Sequence, residues 1–181
     1  MVFIHLATGF EEVEALTAAD LLRRANVEAV LISMTGQPMV EGAHGLKIET
    51  DMIFEDADYS RCEMIVLPGG MPGTKGLEAH SGLCDKIREF DSKDKFIAAI
   101  CAAPSILGKM HLLRNLDATC YPGFEEFLDE AYVRTKQNVI VSNNIITSSG
   151  PAFAPDFGLK IVEILTNKET SDEVAEGMLL K

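Results

Sequence analysis

Short, wholly apolar runs alternate along this chain with longer amphipathic ones. Val2-Phe3-Ile4-His5-Leu6, Val27 to Met34, Glu63-Met64-Ile65-Val66-Leu67 and Phe96-Ile97-Ala98-Ala99-Ile100 are apolar at nearly every position. Runs this short, apolar on both faces, predict strands buried inside a parallel sheet. Between the first two, Glu11 to about Ala25 repeats apolar residues at helical spacing, and its acidic start suits a helix N-terminus. The opening is therefore β–α–β, which implies a right-handed crossover. The run LEAHSGLCDKIREF predicts a helix with Leu77, Leu83, Cys84, Ile87 and Phe90 on its buried side.

Thr35 to Asp51 breaks the rhythm with Gly36, Pro38, Gly42 and Gly45, then alternates from Leu46 to Thr50, as a hairpin off the main sheet would. Later the pattern predicts a short strand over Asp117 to Cys120, a helix from Phe124 to Asp129, and strands at Val133 to Lys136, Val139 to Ser142 and Ile145 to Ser148. Asn143-Asn144 is the turn between the last two. A helix follows from Gly150-Pro151 through Thr166, and an acidic one from Ser171 to Leu180 closes the chain. With no repeat, linker or low-complexity tract, residues 1–181 read as one α/β domain, a mostly parallel sheet with helices on both faces.

At 181 residues and 47% apolar, the chain can bury a sizeable core. No apolar run approaches the ~18 residues of a membrane span. The start has no basic leader or signal-type apolar core, so a cytoplasmic location is expected. A net charge of −12 opposes binding to nucleic acid or an anionic membrane. The four cysteines, Cys62, Cys84, Cys101 and Cys120, form no Cys-x-x-Cys pair and no metal-ligand spacing, which argues for reduced thiols and no metal.

Cys101 stands where the buried strand Phe96–Ile100 turns into a helix with Pro104 in its first turn. The geometry is that of a nucleophile elbow, with Ala102 and Ala103 leaving room for a reacting group. A helix start favours negative charge, so the thiol there is expected to lose its proton readily. The competing reading is an inert buried thiol. Packing explains Cys62, Cys84 and Cys120 better.

The loop Pro68-Gly69-Gly70-Met71-Pro72-Gly73 ends the preceding strand, and Gly9 to Glu14 ends the first. In open parallel sheets ligand sites form at the carboxyl ends of strands, so all three loops converge on one rim. Backbone N–H groups of Gly69-Gly70 can face a developing oxyanion there. No Gly-x-Gly-x-x-Gly follows the first strand, which removes the dinucleotide fingerprint. Of the histidines His5, His44, His80 and His111, only His44 is placed to reach the rim, and no Cys/His/acid triad is legible.

Four motifs in order, GFEEVEA, IVLPGGMPG, AAICAAPSIL and TSSGP, resemble the ThiJ/PfpI superfamily, and most closely the clade of the parkinsonism-associated protein deglycase and its bacterial relatives. The resemblance covers nearly the whole chain. It implies a flavodoxin-like three-layer sandwich of the class I glutamine amidotransferase-like type, usually a homodimer. Cys101 matches the family nucleophile and Glu14 its acidic partner, which supports an oxidised sulfinate. Gly70 and Ala102 match the backbone anion hole. Arg23-Arg24 match a basic pair, and His44 lies near a position often Arg at the dimer-side rim. Tyr121 stands where the best-described relatives carry a His. With pKa ≈ 10 it is a poor base at neutral pH.

The resemblance implies a cofactor-independent enzyme acting on 2-oxoaldehydes such as methylglyoxal, or on their early adducts. Cys101 would attack the carbonyl, Glu14 would carry the proton, and Tyr121, His44 and Arg24 would line the rim. The alternative is a redox-sensing, stress-protective chaperone whose Cys101 oxidises to a sulfinate, and the missing His favours it. An amidase or peptidase comes third, for want of a base. The expected partners are a small carbonyl substrate and a second copy of the chain.

Overall fold

The computed structural model describes residues 1–180. In chain order β1 is Val2–Leu6, α1 Glu12–Arg24, β2 Ala29–Ser33, β3 Met39–Glu41, β4 Lys47–Glu49, β5 Met52–Ile53 and β6 Met64–Leu67. Then come α2 Gly73–Ala79, α3 Ser81–Ser92, β7 Phe96–Ile100, α4 Pro104–Lys109, β8 Asp117–Ala118 and β9 Tyr132–Val133. The chain closes with β10 Val139–Ser142, β11 Ile145–Ser148, α5 Ala154–Leu165 and α6 Lys168–Gly177.

Seven strands form one sheet in the order β10-β11-β7-β6-β1-β2-β5. All neighbours are parallel except β10, which runs antiparallel to β11 at the edge. Helices lie on both faces, the β2-to-β5 crossover being made by the β3–β4 hairpin instead, and both faces carry a core. Because strand side chains alternate, Ile4, Val66, Ala98 and Ile100 pack under α1, α5 and α6, while Phe3, Ile65, Ile97 and Ala99 pack under α2, α3 and α4. This double burial is why the strands read as continuous apolar runs. The α/β sandwich expected from the sequence is the observed one. Among the described residues no helix is long and apolar enough to cross a membrane.

β3 and β4 form the antiparallel hairpin expected in the excursion. Four expectations need correction, the first being the strand over Val133 to Lys136, which is only Tyr132–Val133, paired with β8 and followed by a turn. LEAHSGLCDKIREF is two helices, not one, broken at extended His80 (φ −84°, ψ 98°), whose ring accepts the Leu83 N–H at 3.1 Å and caps α3. Leu77, Leu83, Ile87 and Phe90 are buried there, but Cys84 is half-exposed. The helix expected over Phe124 to Asp129 is only a 3-10 turn at Glu125–Phe127. The last helix begins at Lys168, where the Asn167 side chain accepts the Thr170 N–H, rather than at Ser171.

Candidate active site

The carboxyl edge of β7 delivers Cys101 in a left-handed conformation, φ +64°. A non-glycine residue holds such a φ only where its surroundings over-determine it. Here Cys101 N–H donates to Ser148 O of β11 at 2.9 Å, and Cys101 O accepts Tyr121 N–H at 2.8 Å. Ala103 N–H then turns back to Ile100 O, and Pro104 opens α4. The side chain is thereby lifted off the strand toward the loops of β1 and β6. Cys101 is 9% exposed.

Glu14 arrives from the first turn of α1 and is 1% exposed. Its Oε2 accepts the Gly69 N–H at 2.7 Å, while Oε1 makes no formed hydrogen bond. Gly69 lies between the two side chains. A Cβ there would stand 2.7 Å from Cys101 Cβ and 2.9 Å from Glu14 Oε2, so the position requires glycine. Gly70, at φ +86°, lets its loop cross the Gly9–Glu11 backbone. Glu11 N–H bonds Gly69 O and Gly73 N–H bonds Gly9 O, which stitches the two loops together.

Burial pushes the Glu14 carboxyl up to about 7, against the pull of the Gly69 N–H and the Cys101 thiol. Burial, followed by the charge of Glu14, pushes the Cys101 thiol well above the usual thiol range. The N–H groups of Gly70 and Ala102 pull it partly back. The expectation of a thiol acidified by a helix start is therefore corrected. α4 begins three residues later and has only 6 residues, so its dipole does not outweigh burial and an adjacent carboxylate. Cys101 and Glu14 are coupled, so the charge on one bears on the proton of the other.

His44 reaches the rim within the same chain. Its N–H and ring Nδ1 meet the Glu12 carboxylate at 2.7 and 2.8 Å, which raises the imidazole pKa above its ordinary value. Glu12, 4% exposed, is a residue that sequence reasoning passed over as helix-start charge. Its signal was a second acid facing the Gly-rich excursion. Glu11, Glu12 and His44 are ligand-type residues close enough to share a cation, as are the exposed His111, Asp129 and Glu130. Glu12 is already committed to His44.

Arg24 does not reach the rim. It sits at the far end of α1, about 18 Å of helix from Glu12, and pairs with Asp20 at 2.8 Å. Arg23 holds Ala29 O and Asp51 instead. Tyr121 is fastened to Cys101 through its backbone, with its ring half exposed against Gly150. His5 is fully buried against Tyr59, and His111 pairs with Asp129 on the surface.

A thiol lifted from a strand–helix elbow, faced by a buried carboxyl and two backbone N–H groups, defines an α/β sandwich protein of the cysteine-elbow class. Residues 1–164 match the DJ-1/PfpI family, and the chain belongs to that family. It is 36% identical over 178 residues to Protein dj-1beta of Drosophila melanogaster, covering 98% of this chain and 95% of that one. The solved structure of Drosophila melanogaster DJ-1beta superposes with a TM-score of 0.94 at 35% identity, over 98% of this chain and 96% of that one. Oxidized DJ-1 of Toxoplasma gondii gives 0.93 at 34% identity, over 98% and 97%. A Caenorhabditis elegans relative named glutathione-independent glyoxalase DJR-1.2 is 28% identical over 170 residues, 94% of this chain and 90% of that one.

Proposed function

We propose that the chain is a cysteine-dependent enzyme acting on 2-oxoaldehydes such as methylglyoxal, or on their early adducts. The observation that carries this reading is the buried Glu14 carboxyl held against Cys101, with a pKa of about 7. A group titrating near neutrality both gives and takes a proton efficiently. The relative named a glyoxalase supports the substrate class.

In the proposed reaction the Cys101 thiolate adds to the aldehyde carbon, and the Gly70 and Ala102 N–H groups face the developing oxyanion. Glu14 protonates that oxygen, giving a hemithioacetal. Glu14 then takes the proton from the former aldehyde carbon and returns it to the neighbouring ketone carbon by way of an enediol, while the hydroxyl proton passes from the first oxygen to the second, leaving a thioester of a 2-hydroxy acid. Water adds to the thioester, the carbon–sulfur bond breaks, and the acid leaves with the thiolate restored. Apart from the water, the chain's own groups carry every step. Methylglyoxal turnover should vanish in Cys101→Ala and fall steeply in Glu14→Gln. Full turnover by Cys101→Ala would refute the reading.

A second reading is a redox sensor, in which a peroxide oxidises Cys101 to a sulfinate. Tyr121 in place of a basic His favours it, as does the relative solved in an oxidized form. Two added oxygens confined to Cys101 under mild peroxide would support it, and equal oxidation of all four cysteines would count against it. The active form is proposed as a homodimer in the cytoplasm. Exposed Val13 on α1 and Met39 and Leu46 on the hairpin give an apolar surface beside the rim. A monomer by sedimentation would remove the dimer.

A further inference from the structure

A pocket of about 320 Å³ opens beside the segment that follows β8. Tyr121, Glu125, Thr135, Asn138 and Ser149 line it, together with the buried Cys120 thiol. Pro151 and Phe153 supply apolar surface. Its volume is at the small end of ligand pockets, ~300–1,000 Å³, and its mix of apolar wall and convergent polar groups is typical of them.

The polar lining has one sign. Glu125 is the pocket's sole charged residue, and no Lys, Arg or His lines it. Glu125 spends Oε2 on the Gly123 N–H at 2.7 Å, which leaves Oε1 free. Its charge is felt across the pocket, where burial and then Glu125 push the Cys120 thiol up to about 12. Among the described residues the side chains of Tyr121, Thr135, Asn138 and Ser149 make no hydrogen bond to protein. Each has an oxygen that accepts. Acceptors and a negative field suit a ligand rich in N–H donors and repel an anion.

We propose that this pocket binds a small organic cation, an ammonium or guanidinium group on a short carbon chain, with Glu125 as its charge partner and Tyr121 as its wall toward Cys101. The Tyr121 N–H to Cys101 O bond places the bound cation beside the elbow segment. The proposal does not depend on what Cys101 reacts with.

The test is a nuclear magnetic resonance titration of the full chain with two neutral-backbone probes of equal length. N-acetyl-arginine amide carries a guanidinium, and N-acetyl-citrulline amide an uncharged urea. The arginine probe should shift residues 120–125, 135–138 and 149–153 saturably. The citrulline probe should bind roughly three- to tenfold more weakly, as should the arginine probe to Glu125→Gln. Added salt should weaken only the charged pair. Ala152→Leu, at an exposed lining position, should fill the pocket and reduce binding. Equal binding of both probes, shifts confined elsewhere, or binding unaffected by Ala152→Leu would overturn the proposal.

Discussion

Glu14 and Cys101 control each other's protons. Burial raises the pKa of both, and the charge of Glu14 raises that of Cys101 further. While the carboxyl is charged, the thiol therefore holds its proton more tightly. The two groups behave as one coupled pair rather than as an isolated acidic thiol beside a free carboxyl.

Removing the carboxylate should free the thiol to ionise at lower pH. Ultraviolet titration of thiolate, with Cys101→Ser as the blank, should place the Cys101 transition lower in Glu14→Gln than in the parent. Turnover should nonetheless fall, by roughly 10²–10⁴-fold, because the proton carrier is gone. A transition that stays put or moves up would mean the two groups are not coupled.

Two buried groups should bend stability in opposite directions with pH. Glu14 has its folded pKa raised to about 7, so its contribution is full below its unfolded value of 4.5 and is lost as pH rises through about 7. His5 has its folded pKa lowered to about 4 by burial, so its contribution is full above 6.5 and is lost as pH falls toward 4. Each is worth on the order of 3 kcal/mol. Between pH 4.5 and 6.5 the slopes oppose. Chemical denaturation should give a nearly flat profile for the parent, a profile that falls with acid for Glu14→Gln, and one that rises with acid for His5→Asn. Parallel profiles in all three would dismiss the assignment.

Gly69→Ala should separate the pair mechanically. The new methyl would meet Cys101 Cβ at 2.7 Å and Glu14 Oε2 at 2.9 Å. Overpacking of this kind costs about 1–3 kcal/mol. Turnover of methylglyoxal should drop by more than the loss of folded protein explains. Unchanged kcat/KM in the folded fraction would show that the spacing is not critical.

The His44–Glu12 contact should loosen as pH rises. Glu12 and Glu11 raise the imidazole pKa, so the ion pair is complete below His44's ordinary value and is lost above its raised one. Hydrogen exchange at residues 42–46, corrected for the intrinsic pH dependence, should speed up across that interval in the parent. In Glu12→Gln it should already be fast at low pH. Identical exchange in both proteins would show that the loop is held by its backbone bonds, Ala43 N–H to Phe10 O, Gly42 N–H to Leu46 O and Gly45 N–H to Gly42 O, and not by the ion pair.

Much of this arrangement was legible because buried parallel strands leave a strong signal. The runs at Val2–Leu6, Met64–Leu67 and Phe96–Ile100 could only be interior, and the loops at their carboxyl ends had to share an edge. What the sequence hid was set by contacts distant in the chain. A His side chain that caps α3 splits a helix whose apolar spacing runs on unbroken. Arg24 looked like a rim cation until the length of α1 carried it to the opposite end. The thiol's direction of titration was misread because helix starts are visible in sequence, whereas the burial of Glu14 beside the sulfur is a property of packing.

The bond from Cys101 N–H to Ser148 O has an implication for biosynthesis. Met1 to Leu107 already contains Glu14, Gly70, Ala102 and the thiol itself. Yet the strained φ at the elbow is fixed by β11 and by Tyr121, both later in the chain. A growing polypeptide therefore carries an ordinary cysteine until its final third has emerged and joined the sheet. The elbow is thus completed only when the last third of the chain has been made, and a chain cut before Tyr121 would lack both bonds that hold Cys101 in place.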